Sequence, residues 1–153
     1  MRALLQLVKN ASVMVEGHTI GEIGSGLMIL LGVQQGDTEQ EAHFLARKTA
    51  ELRIFPDENG KMNLSLLEVG GAALVISQFT LCADCKKGRR PAFVRAEQPT
   101  VADALYQRYV QRLRNEGVSC VKTGEFGAFM EVSLCNHGPV TILLDTKEMM
   151  LKG

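Results

Sequence analysis

Apolar residues in this chain fall in short dense runs, separated by glycine, proline and charged turns. Leu4 to Val15 reads as a strand, Glu16–Thr19 as a hairpin turn, and Ile20 onward as the partner strand. Leu27 to Val33 is a nearly unbroken apolar run between glycines, the mark of a buried strand. The period changes after Gly36. Asp37, Thr38, Glu39 and Gln40 form a capping-box pattern with Asp37 as the N-cap, and Ala42, Leu45, Ala46 and Thr49 then share one helix face. Pro56–Gly60 breaks the chain, and Gly70–Gly71 turns it into a strand predicted over Ala72–Leu81. A second helix is predicted from Pro99–Thr100, with Thr100 as N-cap, Leu105, Tyr109 and Leu113 facing inward, and Gly117 just past its end. Val118–Lys122, Phe129–Cys135 and Val140–Asp145 complete the strands, the last two joined by a turn at Asn136–Pro139. These elements predict an α+β fold of mostly antiparallel strands with two long helices, in one domain spanning 1–153.

Charge narrows the function classes. Seventeen basic and seventeen acidic residues cancel, so no global field recruits nucleic acid, and any RNA contact must come from a local patch. Lys86, Lys87, Arg89 and Arg90, with Arg95 nearby, are the candidate patch. The longest apolar stretch is too short to span a bilayer, no leader pattern is evident, and the expected compartment is the cytoplasm. Cys82 and Cys85 are two residues apart, but Cys120 and Cys135 stand alone and no paired histidines exist, so free thiols are expected and no metal or cofactor.

Side-chain chemistry is sparse. The three histidines, His18, His43 and His137, belong to a turn, a helix and the Gly-Pro segment, and no nucleophile elbow or zinc-protease motif occurs. Thr80 is the obvious hydroxyl, yet no base lies near it in sequence. Ser77, Gln78, Phe79 and Thr80 close the Ala72 run, where pockets often open; in a regular strand Phe79 points opposite to Gln78 and Thr80, into the core. Gly138–Pro139 offers a stiff segment that presents bare carbonyls, suited to work done by main chain.

Taken together, Ser77–Leu81 and Asn136–Thr141 closely resemble the paired signatures of the D-aminoacyl-tRNA deacylases, which proofread the chirality of amino acids on tRNA. Leu52–Phe55, Gly60–Asn63, Arg90–Pro91 with Phe93, and Thr123–Ala128 with Met130 extend the likeness over essentially the whole chain. The resemblance implies a barrel-like sheet with helices on one side and a homodimer with cross-subunit active sites. It implies as substrate the 3′ acceptor end of aminoacylated tRNA, with no membrane and no DNA partner, and the hydrolysis of D-aminoacyl esters and of glycine mischarged on tRNA-Ala.

Carried over residue by residue, Ser77, Gln78, Phe79 and Thr80 are the catalytic segment. Gly138 and Pro139, with Asn136 and Met130, are the substrate-binding and chiral-selection group, the Gly-Pro bond being cis and entering the other subunit's pocket. Lys86, Lys87, Arg89 and Arg90 would contact tRNA. Two departures stand out: Leu7 where many members carry a basic residue that helps hold the Gly-Pro loop, and Ala92 where serine is usual. Two other readings fit the same residues, a deacylase of relaxed chirality and a non-catalytic RNA- or ligand-binding dimer.

Overall fold

The computed structural model describes residues 1–150. Its spine is β1 (Arg2–Val15), antiparallel along one edge to β2 (His18–Ile23) and then to β3 (Gly26–Gly32). Two later strands, β6 (Ala72–Ser77) and β7 (Val121–Thr123), add beyond β3, each parallel to its neighbour. The sheet is therefore mixed, where mostly antiparallel pairing was expected. The parallel pairs require crossovers. These carry α1 (Glu39–Glu51), the small ribbon β4 (Phe55–Pro56) and β5 (Met62–Leu64), the single turn α2 (Leu66–Val69), and α3 (Pro99–Asn115). The chain ends on β8 (Glu131–Asp145), antiparallel to β1, and one turn of helix, α4 (Thr146–Met149). The sheet curls to a nearly closed barrel, β2 reaching so close to β7 that a Cβ on Gly21 would lie 2.8 Å from the Thr123 carbonyl oxygen.

Two cores explain the dense apolar runs. On one face, Ala3, Leu5, Leu27, Ile29, Leu31, Ala73 and Val75 meet the inner faces of α1 and α3. On the other, Val8, Val13, Met28, Leu74 and Ile76 fill the inside of the curl, with Met130 and Val132 against them. Strands buried on both faces need no polar alternation, which is why β3 and β6 read as continuous hydrophobic sequence.

Helix boundaries shift for specific reasons. Thr38, not Asp37, is the N-cap of α1: its hydroxyl accepts from the Gln40 N–H and Glu41 reaches back to the Thr38 N–H. Asp37 is drawn instead to the buried Met1 ammonium, 2.8 Å away, and to the Gln34 N–H. In α3, Pro99 takes the first helical position, where its missing N–H costs nothing, and Thr100 lies inside the helix rather than capping it.

Helices α1 and α3 are joined by a polar contact in the core. The Thr49 hydroxyl donates to the Leu45 carbonyl at 2.8 Å and meets the Tyr109 hydroxyl at 2.8 Å, so Tyr109 is the donor of that pair. Burial raises the Tyr109 pKa well above that of an exposed phenol. Thr49→Val leaves the Tyr109 O–H buried without an acceptor and is expected to cost about 1–3 kcal/mol. Tyr109→Phe leaves Thr49 still bonded and is expected to cost about 1 kcal/mol. Urea midpoints of the two variants check the order.

Candidate active site

The predicted Ala72–Leu81 strand stops at Ser77, and Phe79–Cys82 wind into a single 3₁₀ turn. Gly32 makes this possible. A Cβ there would stand 3.0 Å from Leu81 Cβ and 3.1 Å from the Gln78 carbonyl oxygen, so the turn packs directly on the β3 backbone. Arg2 holds it from below, donating from Nη1 to the Leu81 carbonyl at 2.8 Å and from Nε to Asp145 at 2.9 Å. The turn reverses the expectation for Phe79. Its ring is 58% exposed at the rim, meeting Phe93 edge-on at 5.1 Å, instead of lying in the core.

Above the turn opens a cleft of about 450 Å³, within the range of small-ligand sites. Ser77, Gln78 and Phe79 form one wall; Phe126, Phe129 and Met130 form another; Ala96, Pro99 and Ala102 approach from the start of α3. Among the described residues Glu97 is the only charged one in the lining, and its carboxylate accepts the Gln98 N–H at 2.8 Å. Thr80 lies outside the lining, its hydroxyl accepting from the Gln78 side-chain amide. The turn closes through bonds from Leu81 and Ala83 back to Gln78 and Thr80, which leaves the Phe79 and Thr80 N–H groups without partners inside it.

The Gly138–Pro139 segment is not a turn between two strands. Glu131–Asp145 is one strand, paired with β1 on both sides of the dipeptide, and the dipeptide is a bulge within it. Gln6 pairs Thr141 and Val8 pairs Asn136, so Leu7 alone faces the four residues His137, Gly138, Pro139 and Val140. The Gly138–Pro139 bond is cis. His137, Gly138 and Pro139 are exposed, and none of Asn136, Gly138 and Pro139 lines the cleft of their own chain. Met130 does line it, unlike the three residues it was grouped with.

Lys86, Lys87, Arg89 and Arg90 are all exposed on a loop closed at its base by reciprocal Asp84–Ala92 backbone bonds of 2.7 and 2.8 Å. Arg95 is paired with Asp84 at 3.4 Å and is less free to bind phosphate than the other four. All four cysteines are free, Cys82 buried with its thiol pKa raised by desolvation. Among the described residues, no cluster of histidine, cysteine or carboxylate is placed to hold a metal, and no helix is long and apolar enough to cross a membrane.

Sequence reasoning missed Arg2, Gly32 and Glu97. Arg2 touches a carbonyl 79 positions away, and no local pattern announces such a contact.

An apolar cleft beside a single 3₁₀ turn, set on a mixed and nearly closed sheet, is what the fold presents as a candidate site. The model of the D-Tyr-tRNA(Tyr) deacylase family matches residues 4–145, and the chain belongs to that family. It is 54% identical over 149 residues to a D-aminoacyl-tRNA deacylase of Thermosipho africanus, covering 97% of this chain and 99% of the relative. A solved structure titled c-Myc DNA Unwinding Element Binding Protein superposes with a TM-score of 0.90 at 39% identity, covering 95% of this chain and 98% of the other. A probable eukaryotic D-amino acid tRNA deacylase shares the fold at a TM-score of 0.82 and 20% identity, covering 94% and 97%.

Proposed function

We propose that the protein hydrolyses the ester bond of D-aminoacyl-tRNA, and of glycine mischarged on tRNA-Ala, releasing free amino acid and tRNA. The observation that carries this reading is the cleft beside the Ser77–Thr80 turn, in a chain related over nearly its full length to D-aminoacyl-tRNA deacylases.

The apolar slot suits the terminal adenosine, with its ester at the polar end beside Gln78 and Phe79. Water attacks the ester carbonyl, assisted by the substrate's own 2′-OH, and the unpartnered Phe79 and Thr80 N–H groups receive the developing oxyanion. Collapse of the tetrahedral intermediate breaks the bond to the ribose 3′-oxygen, which takes up a proton. Preorganised donors of this kind contribute about 3–4 kcal/mol each in other hydrolases.

Chirality is read by a second copy of the chain. The bulge does not reach the cleft of its own chain, and β8 is an edge strand whose outer side has no partner among the described residues. Phe79 and Phe129 stand exposed around the cleft, 58% and 89%, as surface a partner would cover. In the dimer, the Gly138 and Pro139 carbonyls accept from the α-ammonium and leave no room for an L side chain. Glycine has nothing to clash. Rejection by rigid backbone exceeds what a hydrophobic contact offers, about 1–3 kcal/mol per methylene. Lys86, Lys87, Arg89 and Arg90 bind acceptor-stem phosphates, with affinity that falls as salt rises. A substrate of this kind places the protein in the cytoplasm.

A second reading is nucleic-acid binding without ester cleavage. The exposed basic loop favours it, as does the likeness to a protein titled for binding a DNA unwinding element. Parallel assays with D-tyrosyl-, L-tyrosyl- and glycyl-tRNA separate the two. The expected result is turnover of the D and glycyl esters at least about 100-fold faster than the L ester, a gap of roughly 2.7 kcal/mol. Binding of tRNA with no ester loss would replace the first reading by the second.

A further inference from the structure

We infer that Asn136 is a positioning residue whose side-chain amide ties the two ends of the Gly138–Pro139 bulge and so sets where its main-chain atoms stand. The inference rests on the reading of that bulge as the chiral gate.

Three observations support it. Asn136 Oδ1 accepts from the Val140 N–H at 3.3 Å, and Asn136 Nδ2 donates to Thr141 Oγ1 at 3.0 Å. Asn136 and Thr141 are also the residues at which pairing with β1 stops and resumes, opposite Val8 and Gln6. One planar group thus spans the whole excursion, with donor and acceptor held at a fixed angle.

Nothing on β1 replaces it. The residue facing the bulge is Leu7, 5% exposed and without a polar side-chain atom. Among the described residues, the two Asn136 contacts are the only side-chain hydrogen bonds made to the 137–141 segment. His137, Gly138 and Pro139 are exposed, so packing within the chain adds little restraint. In a relative with a basic residue at position 7 the loop would have a second anchor; here the amide carries the task. Oδ1 and Nδ2 of Asn136 each hold a partner inside the loop, which orients the amide along the bulge.

The test compares wild type, Asn136→Ala, Thr141→Val and Thr141→Ser on D- and L-tyrosyl-tRNA, with melting temperatures alongside. A neutral hydrogen bond is worth about fivefold, so Asn136→Ala is expected to lower the D-over-L ratio of kcat/KM by about tenfold or more, and Thr141→Val by about fivefold. The loss should come chiefly from a higher kcat/KM on the L ester, with a smaller fall on the D ester, whose α-ammonium the same carbonyls bind. Thr141→Ser retains the hydroxyl and is expected to hold the ratio within about twofold. A purely structural role would depress both esters together and leave the ratio alone. If wild type fails to prefer the D ester, the proposed function itself falls. If wild type discriminates while Asn136→Ala and Thr141→Val do so equally well, the positioning role is overturned. Should Asn136→Ala not fold, the Val and Ser variants at 141, both compatible with a strand, decide the matter alone.

Discussion

Gly138→Ala is expected to abolish most of the discrimination between D- and L-aminoacyl-tRNA while leaving the fold intact. Gly138 has φ of 124°, a backbone conformation that side chains rarely adopt, and a Cβ built there would lie 2.9 Å from Val140 Cγ2 and 3.2 Å from the Val140 nitrogen. Alanine must therefore move the backbone of the bulge or displace Val140, whose N–H is one of the two groups bonded to Asn136. Strain of this sort costs about 1–3 kcal/mol. The strand is paired to β1 on both sides, from Glu131 to Asn136 and from Thr141 to Asp145, so the damage stays in the bulge. A loss of about 2–10 °C in melting temperature follows from that cost for a chain of this size. In the proposed dimer, displacing the bulge carbonyls opens space for an L side chain. The expected D-over-L ratio drops by about 100-fold, close to the whole of a roughly 2.7 kcal/mol gate. Matched assays on both esters, with melting temperature as control, measure it. An unchanged ratio in a folded variant would mean that the bulge does not read chirality.

How much of this was legible in the chain depends on which forces are local. The strands β3 and β6 announce themselves because burial on both faces leaves almost no polar positions to confuse the pattern. Ala42, Leu45, Ala46 and Thr49 mark the buried face of α1 by a different signal, helical spacing against a charged outer face. What the sequence hides is set by distant partners. Phe79–Leu81 has the composition of a strand, and it turns because Gly32 gives it room and Arg2 holds its carbonyl. Gly138–Pro139 has the composition of a hairpin turn. It becomes a bulge because β1 is long enough to pair the chain before and after it. Asp37 looks like a better N-cap than Thr38 until the buried Met1 ammonium claims its carboxylate. The end of the Ala72 run borders a cleft, as its place in the sequence suggested, yet the geometry there inverts one expectation by exposing the Phe79 ring and places Thr80 outside the lining. Both outcomes weaken a side-chain mechanism and favour a main-chain one.

That distinction sets the other large effect. Replacing the terminal adenosine of the substrate by its 2′-deoxy form, with the amino acid on the 3′ position, is expected to slow hydrolysis by about 100- to 1,000-fold. General acid–base assistance by a positioned group is typically worth about 10²–10⁴. The cleft provides little to take over that role. The Thr80 hydroxyl is bonded to the Gln78 amide, which is no base, and the Glu97 carboxylate has one oxygen committed to the Gln98 N–H. Thr80→Ala removes a group outside the lining and keeps the free Phe79 N–H, so it should lose less than about tenfold, whereas a true nucleophile or base would lose at least about 100-fold. Glu97→Gln keeps an acceptor for Gln98 and should stay within about threefold of wild type, well short of the loss expected for a general base. Single-turnover rates on the ribo and deoxy esters, with wild type and both variants, form one experiment. If the deoxy ester is cleaved at the normal rate, the substrate's hydroxyl has no part in the chemistry; if either variant is dead on the ribo ester, a protein side chain has one.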